Sequence, residues 1–548
     1  MFVRTKKRGE RIYLQVAENR WEDGKVRQRV LHNLGRLDVL QATGQLESLL
    51  ASAGRFSRTA SIVEAHRRGQ AVTTRTVRVG PGRIFGRLWR EVGLDRVLRE
   101  LLSDRRFEFP VERAVFLTVV HRLMVSGSDR SAEKWQAGYD LEGVSGLELH
   151  HLYRAMAWLG ESLPREGQVG KTPFSPRCVK DVIEEELFRR RQDLFSGVDL
   201  VFFDTTSIYF EGEGGETLGA WGHSKDHRPD LKQLVVGMVL DGEGNPICSE
   251  LWPGNTADVT TLEPVVNRLQ TKFHVRNICI VADRGMIREA TIREMIRREW
   301  KYILGVRMRN CAAVREDVLG RPEAFEEVYP KGVSRKDPSP LKVQEHRVQD
   351  RRYIVCLNED QAVKDREDRK AIVAALTAAL KQGDKSLIGN QGYRRFVQAA
   401  GTHFLIDLAK VEGEARFDGK WVLTTNTDLS AREVALKYKQ LWMVEDIFRS
   451  MKSLLSSRPI WHKTDETIRG HVFCSFLALM LRKELQDRLE TKGYSLEWAD
   501  VIRDLDDLVE MAITTAGRRY IVRSESKGTL GKVFQAAGVS LGPTLRLT

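Results

Sequence analysis

Two aspartates in this chain stand where a carboxylate is costly. Asp204 interrupts the apolar, β-branched run VDLVFFDTTSIYFEG (198–212), and Asp283 closes the apolar part of NICIVADRGM (277–286). A carboxylate buried in such a strand loses several kcal/mol unless it is paired or binds a metal. A third acid lies far downstream, in LKYKQLWMVEDIFRSMKSLLSSR (436–458). Read as one helix, this stretch sets Tyr438, Glu445 and Lys452 seven residues apart on one face, flanked by Leu441, Trp442, Phe448 and Arg449. A phenol, an acid and a base in one line suit a helix laid against a phosphate backbone and a metal. An amphipathic surface helix is the alternative reading.

The chemistry follows from the acids. Two facing aspartates repel, and a divalent cation between them removes both the repulsion and the burial cost. Oxygen ligands select hard ions, Mg²⁺ or Mn²⁺. Two ions about 3.5–4 Å apart would clamp the attacking and leaving oxygens of a phosphodiester. A third carboxylate is needed for the second ion, and Glu445 is the candidate.

The elements around the acids support this. QLVVGMVLDGEGNPICSELWPGN (233–255) reads as two strands joined at a Gly-rich turn, and DVTTLEPVVNRLQTKF (258–273) as a helix capped by Asp258 or Thr256. IREATIREMIRREW is a second helix and KYILGVRM (301–308) a further strand. The order is β-β-β-α-β-α-β, that of a ribonuclease-H-like mixed five-stranded sheet of the α/β class. In that order the first and fourth strands are neighbours, so Asp204 and Asp283 are expected to meet.

Composition narrows the partner. The 548 residues carry a net charge of +13, which favours a polyanion. A membrane is disfavoured, because the N-terminus has no apolar signal core and the apolar run HVFCSFLALML (471–481) is too short to span a bilayer. Six scattered cysteines without a CxxC pair point to no disulfide framework or zinc knuckle, and to the reducing cytoplasm. Residues 1–70 hold 14 basic and 7 acidic residues. Within them, RIYLQVAENRW and KVRQRVLHNL flank Glu-Asp-Gly, a hairpin signal. Lys25, Arg27 and Arg29 would share one face of its second strand, a basic ribbon suited to a DNA groove. Residues 80–195 show helical periodicity.

Taken together, these motifs resemble the DDE transposases of bacterial insertion sequences, specifically the insertion-sequence-4 superfamily with its Y-x2-R-x3-E-x6-K signature. Tyr438, Glu445 and Lys452 match that signature, whereas Leu441 stands at its arginine and Arg449 is the candidate substitute. GHSKDHRPDLKQLVVG (222–237) and GNTAD (254–258) also resemble family text. The resemblance implies catalytic and metal-binding roles for Asp204, Asp283 and Glu445, and phosphate contacts by Tyr438, Lys452 and Arg449. It implies Trp421, in KWVLTTN, as the acceptor of a base flipped from a hairpin at the transposon end; Trp300, before the fifth strand, reads by its position as core. It further implies Mg²⁺ or Mn²⁺, double-stranded DNA as terminal inverted repeats and target, a homodimer on DNA, and cut-and-paste transposition. A ribonuclease-H-like nuclease or resolvase, and a non-catalytic DNA-binding relative, are the competing readings.

The expected division is a basic β-hairpin arm that binds DNA ends at 1–70, a helical domain at 76–195 and the first part of the core at 198–310. A β-rich insertion at 311–430 follows, then the second part of the core with the glutamate helix at 431–485, and a helical, basic tail at 486–548. His223 and His227 have metal-ligand spacing but sit in a loop-like context, and EGEGGE (211–216) lacks the lysine and helix of an ATP phosphate loop.

Overall fold

The computed structural model describes residues 1–22, 25–54, 69, 72–168, 176–191, 200–275, 278–320, 324–328, 341–381, 396–400, 403–454, 458–515 and 518–548. The chain forms two compact units.

The first unit comprises Met1–Pro81, Gly138–Asp140 and Leu496–Thr548. Its N-terminal part is a three-stranded antiparallel sheet of β1 (Phe2–Arg8), β2 (Arg11–Glu22) and β3 (Lys25–Arg36). The expected hairpin is β2–β3; Asp23 and Gly24 of its turn lie outside the described residues. β1 was not legible because FVRTKKR breaks its alternation with three consecutive cations. Lys25, Arg27 and Arg29 are exposed on β3, across from Glu22, Arg20 and Glu18. A second sheet joins β4 (Val72–Arg78) to β16 (Val509–Thr515), β17 (Arg518–Arg523) and β18 (Leu545–Leu547) in the order β18-β17-β16-β4. The expected helical tail thus holds strands as well as the helices Trp498–Asp506 and Leu530–Ala536. VEMAITT and RRYIVR are rich in β-branched and aromatic residues, and VEMAITT finds partners in both RRYIVR and β4.

The second unit, Gly82–Ala137 with Leu141–Ser495, carries the acids. Its helical portion is built on Asp465–Thr491, a helix that packs against Val111–Met124 and Leu149–Leu159. HVFCSFLALML lies on this helix and is almost wholly buried. Its apolar length serves helix packing, and among the described residues no helix is long and apolar enough to cross a membrane.

Among the described residues, the sheet of this unit has nine strands in the order β10-β11-β12-β15-β9-β8-β5-β6-β7. β5 (Leu200–Tyr209), β6 (Gln233–Leu240) and β7 (Pro246–Pro253) run antiparallel in sequence. β8 (Cys279–Ala282) and β9 (Lys301–Val306) lie parallel beside β5, reached through the helices Leu262–Thr271 and Glu289–Arg297. These five strands form the ribonuclease-H-like core. Parallel pairing needs such crossovers, and both faces of the strands are consequently buried. Trp300 is buried in this core, as expected.

The remaining strands differ from the expected separate insertion. β10 (Glu326–Val328), β11 (Leu341–Val348) and β12 (Arg351–Leu357) lead to β15 (Lys420–Thr425), which pairs with β9. The free edge of β9 needs a partner for its N–H and C=O groups, and β15 supplies it, so these strands extend the core sheet. A small cluster apart from this sheet is formed by the helix Glu359–Lys381 and the hairpin β13 (Val397–Ala400) to β14 (His403–Ile406), centred on Leu376 and Phe396. β14 stops short of the expected 401–409 strand because Asp407 caps a helix, accepting a hydrogen bond from Lys410 N at 3.0 Å.

Candidate active site

The parallel register of β5 and β8 sets Phe203 across from Ala282. One step further along each strand are Asp204 and Asp283. β8 ends at Ala282, so Asp283 emerges at the carboxyl end of a parallel strand, where open α/β sheets form their binding crevices. Asp204 Oδ1 accepts the Thr205 N–H at 2.7 Å. Its carboxyl is pushed up to about 6, by burial first; Lys225 and the Thr205 N–H oppose this, while the charges of Asp283 and Asp258 add to it. The two aspartates therefore meet as the strand order predicts.

The glutamate stretch is not the single helix expected over 436–458. A capping box at Ser430 and Glu433 starts a helix over Ala431–Lys439. A tight turn follows, with Leu441 N donating to Tyr438 O and Val444 N to Leu441 O, both at 3.0 Å. A second helix runs Trp442–Arg449 and widens into a π-turn at Ser450–Leu454. Tight and wide turns rotate successive residues by different amounts, so a seven-residue spacing no longer keeps one stripe.

Tyr438 and Lys452 accordingly have different partners. The Tyr438 hydroxyl donates to Asp283 Oδ1 at 3.1 Å. Burial and then the charge of Asp283 drive the phenol far above its ordinary pKa, so it remains a donor. Gly305 in β9 makes room for it: a Cβ there would lie 2.6 Å from the Tyr438 hydroxyl and 3.0 Å from Arg284 N. Lys452 instead holds Asp226 Oδ1 at 2.7 Å, and Arg458 reaches the same oxygen. Burial lowers the Lys452 pKa, against the pull of Asp226. Arg449 is exposed and pairs with Asp446 at 3.3 Å.

A cavity of about 420 Å³ is lined by Asp283, Glu445, Tyr438, Trp421, Leu441 and Trp442, among others. Glu445 and Asp283 thus share one cavity with the expected Trp421. Asp204 does not line it, but its charge acts on Tyr438, and the charge of Asp283 acts on Asp204. Leu441, at the signature's arginine position, is buried and contributes apolar wall.

Three residues beside these acids have places that the sequence did not reveal. Trp442 is 58% exposed and lines the cavity three residues before Glu445. Asp258 does not cap the following helix: its Oδ1 accepts the Thr205 hydroxyl at 2.8 Å and its Oδ2 pairs with Lys225 Nζ at 3.2 Å. For Asp258 the sequence signals were a possible helix cap and its place in GNTAD, neither of which sets it beside Asp204. Lys225 gave no comparable signal in its loop.

A model of the Transposase DDE domain family matches residues 196–481, and one of the IS1634 family transposase N-terminal domain matches residues 2–60. The chain belongs to the Transposase DDE domain family. No curated protein matches the chain. The transposase is a DNA-cleaving and strand-transferring enzyme, and DNA is its partner. Enzymes of this family generally work with divalent metal ions.

Although Asp204, Asp283 and Glu445 form no converged three-ligand cluster among the described residues, the donors present fit such an ion in kind. They are all carboxylate oxygens, which suits a hard cation, and Asp204 is held in a state that a neighbouring positive charge would relieve. His223 and His227 are absent from the three-ligand clusters among the described residues; the cluster found there is Asp129, His462 and His471. That cluster already holds a cation, because Arg122 donates to His471 Nδ1 at 2.8 Å.

Proposed function

We propose that the protein is the transposase of an insertion sequence of the insertion-sequence-4 superfamily, moving its own element by cut-and-paste. Asp204, Asp283 and Glu445 are the catalytic carboxylates and hold Mg²⁺ or Mn²⁺, as two ions. The bound metal supplies Lewis-acid stabilisation of the charge that develops on the attacking and leaving oxygens. The observation that carries the reading is the approach of Asp204 and Asp283 on neighbouring parallel strands, with Glu445 beside Asp283 in one cavity.

The side chains divide the work. Tyr438 donates to Asp283 and fixes the orientation of that carboxylate. Trp421 offers an aromatic face on the cavity wall, suited to a base displaced when a hairpin closes on the transposon end. Lys452 braces the glutamate helix through Asp226, and the exposed Arg449 is the freer cation for a DNA phosphate. Lys25, Arg27 and Arg29 bind the backbone of the terminal inverted repeats. Target DNA and a second protomer complete the complex. Six free cysteines accord with a cytoplasmic setting.

Substituting Asp204, Asp283 or Glu445 with Ala tests the assignment on DNA carrying the element's ends. Cleavage should be lost while gel-shift affinity for the ends stays near wild type, because metal ligands act on the transition state. Near-wild-type cleavage by any one variant removes that residue from the triad. A nuclease or resolvase would share the carboxylates, and a strand-transfer assay with pre-cut ends separates it from a transposase.

A further inference from the structure

We propose that Lys225, anchored by Asp258, is the resident counter-cation of the acidic site and sets how tightly that site takes a divalent metal. The inference rests on the metal-binding reading of Asp204 and Asp283. It assigns roles to two residues outside the triad, both as positioning residues.

The lysine is built into the site. Its Nζ donates to the Thr205 carbonyl at 2.7 Å and lies 3.0 Å from the Thr205 hydroxyl. The same ammonium pairs with Asp258 Oδ2 at 3.2 Å. Its backbone N–H is fixed to Ser207 Oγ at 2.8 Å. The next residue, Asp226, is tied to Lys452 and Arg458 beyond the glutamate helix. The peptide that carries Lys225 is thus held at both ends of the site. A flexible surface lysine would have none of these constraints.

Its charge faces the acids. Lys225 is the strongest charge that counteracts burial of the Asp204 carboxylate, while Asp258 and Asp283 act in the opposite sense. Asp258 Oδ2 and Asp283 Oδ2 both lie within 4.0 Å of the place a Cβ on Gly285 would occupy. The ammonium therefore pairs directly with Asp258 and acts through space on Asp204, whose field Asp283 also enters. Both oxygens of Asp258 are engaged, by Thr205 and by Lys225, so Asp258 acts through them. The arrangement keeps the acids compatible without metal and moderates the field a metal meets.

The two residues then have opposite effects on metal affinity. Removing the ammonium makes the site more negative, so Lys225→Met should bind Mn²⁺ more tightly. Removing the Asp258 charge leaves the ammonium uncompensated, so Asp258→Asn should bind it more weakly. A unit charge acting on a divalent ion over about 6 Å changes affinity about tenfold even in a water-like dielectric. Damage to the fold would weaken both variants, so tightening by Lys225→Met has no structural substitute.

The test is Mn²⁺ binding to the full-length protein without DNA, read from the electron paramagnetic resonance of free Mn²⁺. Lys225→Met should lower Kd about tenfold, Lys225→Arg should restore the wild-type value, and Asp258→Asn should raise Kd about tenfold. Asp204→Asn is the control for the site itself. If Asp204→Asn weakens binding but Lys225→Met leaves it unchanged or weaker, the counter-cation role is wrong. If Asp204→Asn binds Mn²⁺ like wild type, the metal site is misplaced and the inference falls with it.

Discussion

Gly305 offers a sharp test of how the second carboxylate is held. A Cβ at this position would lie 2.6 Å from the Tyr438 hydroxyl, well inside van der Waals contact, and 3.0 Å from Arg284 N. Gly305→Ala must therefore push Tyr438 away from Asp283, breaking the 3.1 Å hydrogen bond to Oδ1. A hydrogen bond to a charged group contributes about 1.5–3 kcal/mol, and overpacking costs about 1–3 kcal/mol. Tyr438→Phe should lose the first quantity alone. In the double variant the hydroxyl that collides is gone, so the new methyl group meets less resistance. Its cost should fall short of the sum of the single costs by about 1.5 kcal/mol, roughly tenfold in rate. Urea denaturation and the first-strand nicking rate, measured on all four proteins, complete the cycle. Additivity within about 0.5 kcal/mol in both measurements would refute the account, because Gly305 and Tyr438 would then act independently.

Three further outcomes are expected. The Asp204 carboxyl moves from its ordinary 3.8 up to about 6, so its contribution is fully present below about pH 4, is lost as pH rises towards 6 and stays lost above it. Metal-free wild type should thus lose roughly 3 kcal/mol over that window from this group, and Asp204→Asn should flatten the loss; parallel melting curves against pH would contradict this. Replacing Lys25, Arg27 and Arg29 with Ala should weaken binding to the ends and reduce the salt slope by about 0.9 for each phosphate no longer neutralised; an unchanged slope places the DNA elsewhere. Trp421→Ala should leave folding and nicking near normal but slow hairpin closure on a pre-nicked end, since stacking recovers about 1–3 kcal/mol; wild-type hairpin rates would return Trp421 to a packing role.

Much of the catalytic core was legible because it rests on local pattern. Period-two and buried apolar runs placed the strands around Asp204 and Asp283, and the β-β-β-α-β-α-β order implied their adjacency, which β5 and β8 realise. The acids themselves were conspicuous because a carboxylate in an apolar strand demands a compensating charge. The remainder depended on pairings distant in sequence. β15 completes the free edge of β9, so part of what reads as an insertion becomes core sheet, and no local signal says which edge a strand will join. β16 and β17 looked like a tail until their pairing with β4, more than 400 residues earlier, defined a sheet. Helical spacing predicted one face for Tyr438, Glu445 and Lys452, but the turn at Leu441 redirected Lys452 to Asp226. Asp258 and Lys225 carry no signal comparable to an acid in an apolar strand. Their roles exist because a loop and a turn return to Thr205, and only the folded chain brings those charges together.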